Sequence, residues 1–471
     1  MSGAGTLPRP GSAGAPLPAA ASSRVTLLSN GYEAFAARAA SARTARRSLD
    51  LQYYMWESDL TGQLLAREAL HAADRGVRVR LLLDDMYALG RESDLTALGA
   101  HPRMQLRRFN AARWRRWGRL GLLLEMLFGN WHLNRRMHNK AWIADGRLVI
   151  CGGRNVGDRY FDASGDFNFR DLDLSVDGGS ASEATGVFES YWRSRLALSI
   201  KRLRIRSNAR ALKRLRRALD AVAASPEARP FLERVRDIQA DQRPGLAVED
   251  EAIRILSDAP EKARGRASSA VMAELTDLLA HARREALLIS PYFVPGEAGT
   301  ARLIEMARAG VRIAVITNSL AATDVVAVHG GYARYRERLI AAGIEIFELK
   351  RSVEKTAGVF GSHGASLHTK AIVVDDGPVF VGSFNLDPRS ANLNTEMGVL
   401  VRHPALARLI RWHHRRLTGG AQSWRVRLAA DGRLAWDDGV TVRHGPTEPE
   451  ASLKRRALAR VLRWLPIESQ L

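Results

Sequence analysis

The chain repeats itself, and that limits its possible folds more than any other feature. From Ser48 it runs SLDLQYYMWESDLTGQLLAREALHAADRGVRVRLLLDD, and from Glu285 it runs EALLISPYFVPGEAGTARLIEMARAGVRIAVITNS. Each copy reads as an apolar strand, then a helix with apolar residues three and four apart, then a strand entered through Gly76-Val-Arg-Val or Gly310-Val-Arg-Ile. The two glycines lie 234 residues apart. A second matching pair, HNKAWIADGRLVICGGRN from His138 and HTKAIVVDDGPVFVGSFN from His368, keeps an offset of 230. At 471 residues the chain is long enough to divide its core, so the repeat predicts two α/β halves. Alternating strands and helices predict largely parallel sheets covered by helices.

The halves are expected over residues 24–200 and 246–422. Residues 1–23, rich in Ala, Gly, Pro and Ser, read as a disordered lead-in without the apolar core of a secretory signal. Residues 201–245 read as a basic helical connector broken at Ser225-Pro226 and Arg229-Pro230. Residues 423–471 predict a hairpin around Asp431-Gly432, then a basic amphipathic helix.

In each copy the order is His, one residue, Lys, four residues, Asp, six residues, Gly, then Asn three positions later. The first copy has His138, Lys140, Asp145, Gly152 and Asn155; the second has His368, Lys370, Asp375, Gly382 and Asn385. On a strand, His and Lys one residue apart share a face. Turns at Asp145-Gly146 and Asp375-Asp376-Gly377 return a second strand, which brings the Asn back beside them. Imidazole, ammonium and carboxamide together suit a phosphate. Two such patches facing each other supply a nucleophile on one side of a phosphodiester and a proton donor on the other. Two Lys and two Asn neutralise its charge, so no metal and no cofactor are expected. Only 8 of the 71 basic residues are Lys, yet both motif positions are Lys, a compact point charge and not a guanidinium fork. Asp145 and Asp375 complete the catalytic motif, and at turns they are expected to brace it more than touch substrate. Each His also needs a carboxylate to fix its tautomer. Downstream of each, Asp171 and Glu396 stand 33 and 28 residues after His138 and His368, with Asp173 competing in the first half.

At these residues the sequence resembles the phospholipase D superfamily, whose signature is the duplicated His-x-Lys-x4-Asp motif. MHNKAWIADGRLVICGGRNVGDRYF, ATDVVAVHGGYARYRERLIAAGIEIFELK and SFNLDPRSANLNTEMGVLV are similar to the bacterial cardiolipin synthases, most of all the class C type. The resemblance implies a duplicated phospholipase D-type fold, with the halves related by a pseudo-twofold and the active site between them. It implies a phosphatidyltransferase working through a covalent phosphohistidine, with phosphatidylethanolamine or a second phosphatidylglycerol as donor and phosphatidylglycerol as acceptor. It further implies His138 as nucleophile, His368 as general acid, and Asn155, Ser383 and Asn385 as phosphate-binding groups. Gly153 stands where the second copy has Ser383, so a hydroxyl contact would be one-sided.

A net charge of +21 points to an anionic partner. Residues 107–138 mix arginines with Trp114, Trp117 and Trp131 around the apolar run Leu120 to Phe128, as an interfacial element would. No apolar run reaches the length of a membrane-spanning helix. The expectation is peripheral attachment to an anionic phospholipid membrane, at the cytoplasmic face of the bacterial inner membrane. No nucleic acid is expected, and a protein partner is left open. The rival readings are a phospholipase D-type hydrolase, a nuclease of the same superfamily acting on DNA, and a non-catalytic basic scaffold. The single cysteine, Cys151, excludes a disulfide framework.

Overall fold

The structure is a computed structural model that describes residues 22–86, 96–112, 114, 117–128, 131–203, 205, 207–240, 245–351, 365–445, 447–465 and 468–471. The lead-in 1–21 lies outside the described residues, whereas Ser22 and Ser23 already belong to the strand Ser22–Leu28. That strand pairs with Leu246–Glu249.

Two sheets of nine and ten strands carry the two halves. Seven strands follow the same spatial order in both. In the first half these are Asp173–Asp177, Leu148–Gly152, Ala141–Ala144, Ser48–Tyr53, Arg78–Asp84, Met104–Phe109 and Ala197–Ser199. In the second they are Met397–Arg402, Pro378–Gly382, Ala371–Val374, Glu285–Ile289, Arg312–Asn318, Glu345–Leu349 and Ser423–Leu428. The expectation of largely parallel sheets is corrected here. Within the two large sheets, only the strands joined through helices, such as Ser48–Tyr53 with Arg78–Asp84, pair in parallel. The motif strands Ala141–Ala144 and Ala371–Val374 return through three-residue turns, so they and their neighbours run antiparallel. Asp145 and Asp375, at φ 55° and 47°, begin those turns. Gly76 and Gly310, at φ 95° and 92°, make the helix-to-strand turns that a side chain would strain.

The halves share an interior. One cluster of buried apolar side chains contains Ile143, Val149 and Leu174 from the first sheet together with Leu287, Val373 and Val399 from the second. The short strands Asn168–Arg170 and Ala365–Leu367 also pair in parallel across the boundary.

The connector is packed, not free. Its helices are Ala209–Ala223 and Ala228–Ala240, and the second buries Phe231 against Tyr32 and Phe35 of the first half. Ser225-Pro226 separates them, but Arg229-Pro230 breaks nothing, because Pro230 occupies the first turn, where backbone N–H groups have no intrahelical acceptor. The hairpin around Asp431-Gly432 extends the second sheet instead of standing apart. The final helix, Leu453–Trp464, buries Ala459 and hydrogen-bonds through Arg455 to Leu320 O, while Leu453, Val461 and Trp464 face outward.

Candidate active site

The two His-x-Lys pairs follow directly on cross-half backbone contacts. The His138 N–H donates to Thr395 O at 2.9 Å, and the His368 N–H donates to Arg170 O at 2.8 Å. Thr395 and Arg170 each immediately precede a carboxylate, so each imidazole meets the acid of the opposite half. His138 Nδ1 lies 2.8 Å from Glu396 Oε2, and His368 Nδ1 lies 2.6 Å from Asp171 Oδ2. Glu396 and Asp171, the carboxylates expected beside the histidines, each contact the other repeat's histidine. Register is the reason: Phe169-Arg170 lies beside Ser366-Leu367, which delivers Asp171 to His368 and not to His138. Asp173, the competing candidate, is committed to Arg38 at 2.9 Å and Arg154 at 3.5 Å.

With Nδ1–H held by a carboxylate, each Nε2 keeps its lone pair for chemistry. Lys140 and Lys370 donate to the carbonyl oxygens of His138 and His368, which places both ammonium groups beside the rings. Tyr54 packs edge-on against His138, while Tyr160 and Phe169 pack against His368. Both histidines are 8% exposed, open to a ligand at an edge only. The buried Asn155 and Asn385 each leave Oδ1 without a hydrogen-bond partner. Asn155 Nδ2 donates one of its two protons to the Tyr160 hydroxyl at 2.9 Å. Turning that amide over lets Tyr160 donate to Oδ1 and frees Nδ2 for a phosphate oxygen, which accounts for an otherwise costly orphan.

Sequence comparisons meet this geometry. A family described as "Cardiolipin synthase, PLD-like domain" matches residues 40–192 and 275–417, once in each half. The chain is 38% identical over 462 residues to cardiolipin synthase C of Escherichia coli K12, covering 94% of both proteins. The chain belongs to the cardiolipin synthase family. It is also 25% identical to cardiolipin synthase B of Escherichia coli K12, over 80% of this chain and 76% of that one. The phosphatidylserine synthase of Haemophilus influenzae Rd KW20 shares the fold, with a TM-score of 0.58 at 15% identity over 84% of this chain and 86% of that one.

Within this cardiolipin synthase fold, three expected site residues are placed differently. Asp145 and Asp375 are not in the catalytic cluster. Asp145 accepts from the backbone N–H groups of Arg46, Arg47 and Ser48, and Asp375 from those of Arg283, Arg284 and Glu285. They brace the turn of each motif against the neighbouring strand. Ser383 is not free for a phosphate either: its hydroxyl donates to Glu396 Oε2 and accepts from Met397 N at 3.0 Å. In the first half the matching Gly153 leaves no room for a side chain, since a Cβ there would stand 2.2 Å from Asp171 Oδ1.

Four supporting residues carry no signal in the motif spacing. Ser390 donates to Glu396 Oε1 at 2.9 Å, and Asp258 accepts from Glu396 N at 3.1 Å. Asp84 holds Met137 N at 2.9 Å, just before His138. Arg154 donates to Tyr160 O at 3.1 Å and to Asp171 O, fixing both walls of the His368 pocket.

Burial sets the protonation. It lowers His138 to about 4, with Glu396 opposing and the two lysines assisting. Burial, then Lys370 and Lys140, hold His368 well below the usual imidazole range. Lys140 is lowered well below an ordinary ammonium, and Lys370 falls to about 8, both through burial first. Both shifts favour the neutral form of each imidazole near pH 7. Among the described residues no group of three or more His, Cys, Asp or Glu side chains is arranged to hold a metal ion.

Proposed function

We propose that this chain synthesises cardiolipin by transferring a phosphatidyl group from phosphatidylethanolamine, or from a second phosphatidylglycerol, to phosphatidylglycerol. The observation that carries the reading is the reciprocal pair of imidazoles, each bound at Nδ1 by the other half's carboxylate, with a buried ammonium beside each. His138 Nε2 attacks the phosphorus of the donor. The P–O bond to the headgroup breaks, and the departing oxygen takes a proton from His368. The hydroxyl of the incoming phosphatidylglycerol then gives its proton to His368 and attacks phosphorus, and the P–N bond to His138 breaks. The enzyme ends as it began. Lys370 favours this assignment, since its Nζ stands 3.0 Å from His368 Nδ1 and makes that imidazole the sharper acid once it carries a proton. Entry of an anionic phosphodiester offsets the lysine charge, so His368 takes up a proton from solvent as the substrate binds.

Product analysis tests the reading: purified protein on vesicles containing phosphatidylglycerol, with and without phosphatidylethanolamine. Cardiolipin is expected. Phosphatidic acid as sole product would mean hydrolysis, and unchanged lipid would turn attention to DNA. A bell-shaped pH dependence is expected in kcat/KM, which reports the free enzyme. The acidic limb reports protonation of the His138 nucleophile, held to about 4 by burial, and the basic limb reports loss of the His368 proton and, from about 8, of the Lys370 charge. A rate still rising from pH 7 to 10 would contradict this assignment.

Peripheral attachment to an anionic membrane is part of the same reading. Among the described residues no helix is long and apolar enough to cross a bilayer. Two outward helices do offer apolar side chains beside arginines, with Phe128 at the end of Gly118–Leu127 75% exposed and Trp464 of Leu453–Trp464 81% exposed. The segments that follow them are tied together: Asn134 Nδ2 donates to Gln470 Oε1 at 2.6 Å, and Arg389 donates to both Asn134 O and Leu471 O. Replacing Phe128 and Trp464 together by Ser should weaken cosedimentation with phosphatidylglycerol vesicles by about 10- to 100-fold. Unaltered binding would remove these helices from the docking surface.

A further inference from the structure

A tyrosine–aspartate pair on the second-half rim takes no part in the chemistry above. Tyr292 follows the strand Glu285–Ile289, and Asp324 stands in the loop after Arg312–Asn318. The Tyr292 hydroxyl lies 2.8 Å from both carboxylate oxygens of Asp324. Asp324 is exposed, and among the described residues it makes no ion pair. A carboxylate whose side-chain hydrogen-bond partner among the described residues is a tyrosine is unusual in a chain of net charge +21.

Both arms are built against the second motif. Leu386 N donates to Ser290 Oγ at 3.1 Å, Ser290 Oγ donates to Tyr292 O at 2.7 Å, and Val294 N donates to Leu386 O at 2.7 Å. These bonds fasten Tyr292 to the residue after Asn385. On the other arm the Asn318 amide takes both backbone groups of Leu367, the residue before His368, at 2.9 and 3.0 Å. Arg455 of the last helix donates to Leu320 O at 2.9 Å and to Thr323 O, which fixes the loop immediately before Asp324. The field of Asp324 reaches the Lys370 ammonium, and Tyr292 lies within electrostatic reach of Tyr160, whose ring packs on His368. Among the described carboxylates at the end of Arg78–Asp84 in the first half, Asp84 holds Met137 N and Arg136, and Asp85 accepts from Ala112 N.

In-line displacement puts the leaving headgroup on the side of the general acid, opposite the nucleophile. That side is His368, where Tyr292 and Asp324 stand. We propose that Tyr292 and Asp324 form a subsite for the ammonium of the donor phospholipid's headgroup. The inference rests on the assignment of His368 as acid and on an amine-bearing donor. A carboxylate and an aromatic ring together select a primary ammonium against a neutral polyol such as glycerol. The ammonium keeps its charge throughout, because the proton that the leaving oxygen needs comes from His368.

The test measures ethanolamine and glycerol released from vesicles holding equal phosphatidylethanolamine and phosphatidylglycerol, whichever acceptor takes the phosphatidyl group. The ratio of ethanolamine to glycerol should fall about tenfold in Asp324→Asn and less in Tyr292→Phe, with Asp324→Glu retaining part of the preference. KM for phosphatidylethanolamine should rise more than kcat falls. A ratio unchanged in Asp324→Asn, with the variant's thermal midpoint intact, overturns the subsite. Glycerol as the only product of the unsubstituted protein also overturns it, yet leaves cardiolipin synthesis from phosphatidylglycerol standing. Ethanolamine released in an Asp324-dependent manner without cardiolipin would sink the transfer reading and support the subsite.

Discussion

Cardiolipin formation should fall by at least about 10⁴-fold in both His138→Ala and His368→Ala, since in the proposed mechanism each removes a group assigned to the reacting phosphorus. The two variants should fail at different steps. With a donor whose leaving group is a nitrophenol, departure needs no proton, so His368→Ala should still release one nitrophenol per protein and then stop. The second step lacks its base, and the phosphatidyl group stays on His138 as an acid-labile adduct visible by intact-protein mass. His138→Ala should release none. An adduct on His368 in the His138→Ala protein would exchange the two roles, and no adduct in either would remove the covalent intermediate.

Glu396→Gln and Asp171→Asn should each lower kcat by about 10²- to 10⁴-fold, because an amide N–H can donate to Nδ1 where the carboxylate can only accept, and so favours the wrong tautomer. The burial of each carboxylate and its short contact with a ring nitrogen put these effects next in size to loss of a histidine. Glu396 also raises the basicity of His138, so its loss should move the acidic limb of the pH profile downward. A merely structural role would leave that limb in place. Partial recovery is expected in Glu396→Asp, whose carboxylate keeps the charge but sits about one carbon short.

The duplicated motif was legible because it places His, Lys and Asn by short-range strand and turn geometry alone. Two periods of alternation and a turn bring them together, and the fold keeps that arrangement in both halves. The crossing of Asp171 and Glu396 was not legible, since it depends on which backbone lies across the boundary, a matter of tertiary register. Ser383 misled for a related reason. Its position in the motif suggests a phosphate contact, but only the structure shows Glu396 approaching close enough to use its hydroxyl. The helices after Ser48–Tyr53 and Glu285–Ile289 argued correctly for parallel neighbours, and the argument failed only when extended to strands joined by turns. Asp84, Asp258, Arg154 and Ser390 act on the site through the backbone or through another carboxylate, and no spacing rule marks such residues.

The common interior of the two sheets determines how lipids come and go. A hinge that parted the halves would bring Leu287, Val373 and Val399 on one face, and Ile143 and Leu174 on the other, into water, at a cost of roughly 1.5–3 kcal/mol for each large side chain uncovered. Opening on that scale amounts to unfolding. Traffic through the reaction chamber is therefore confined to its rim: two diacyl lipids in succession and a bulky four-chained product must pass between fixed walls, with only side chains and surface loops free to yield. The chamber works as a slot and not as a jaw.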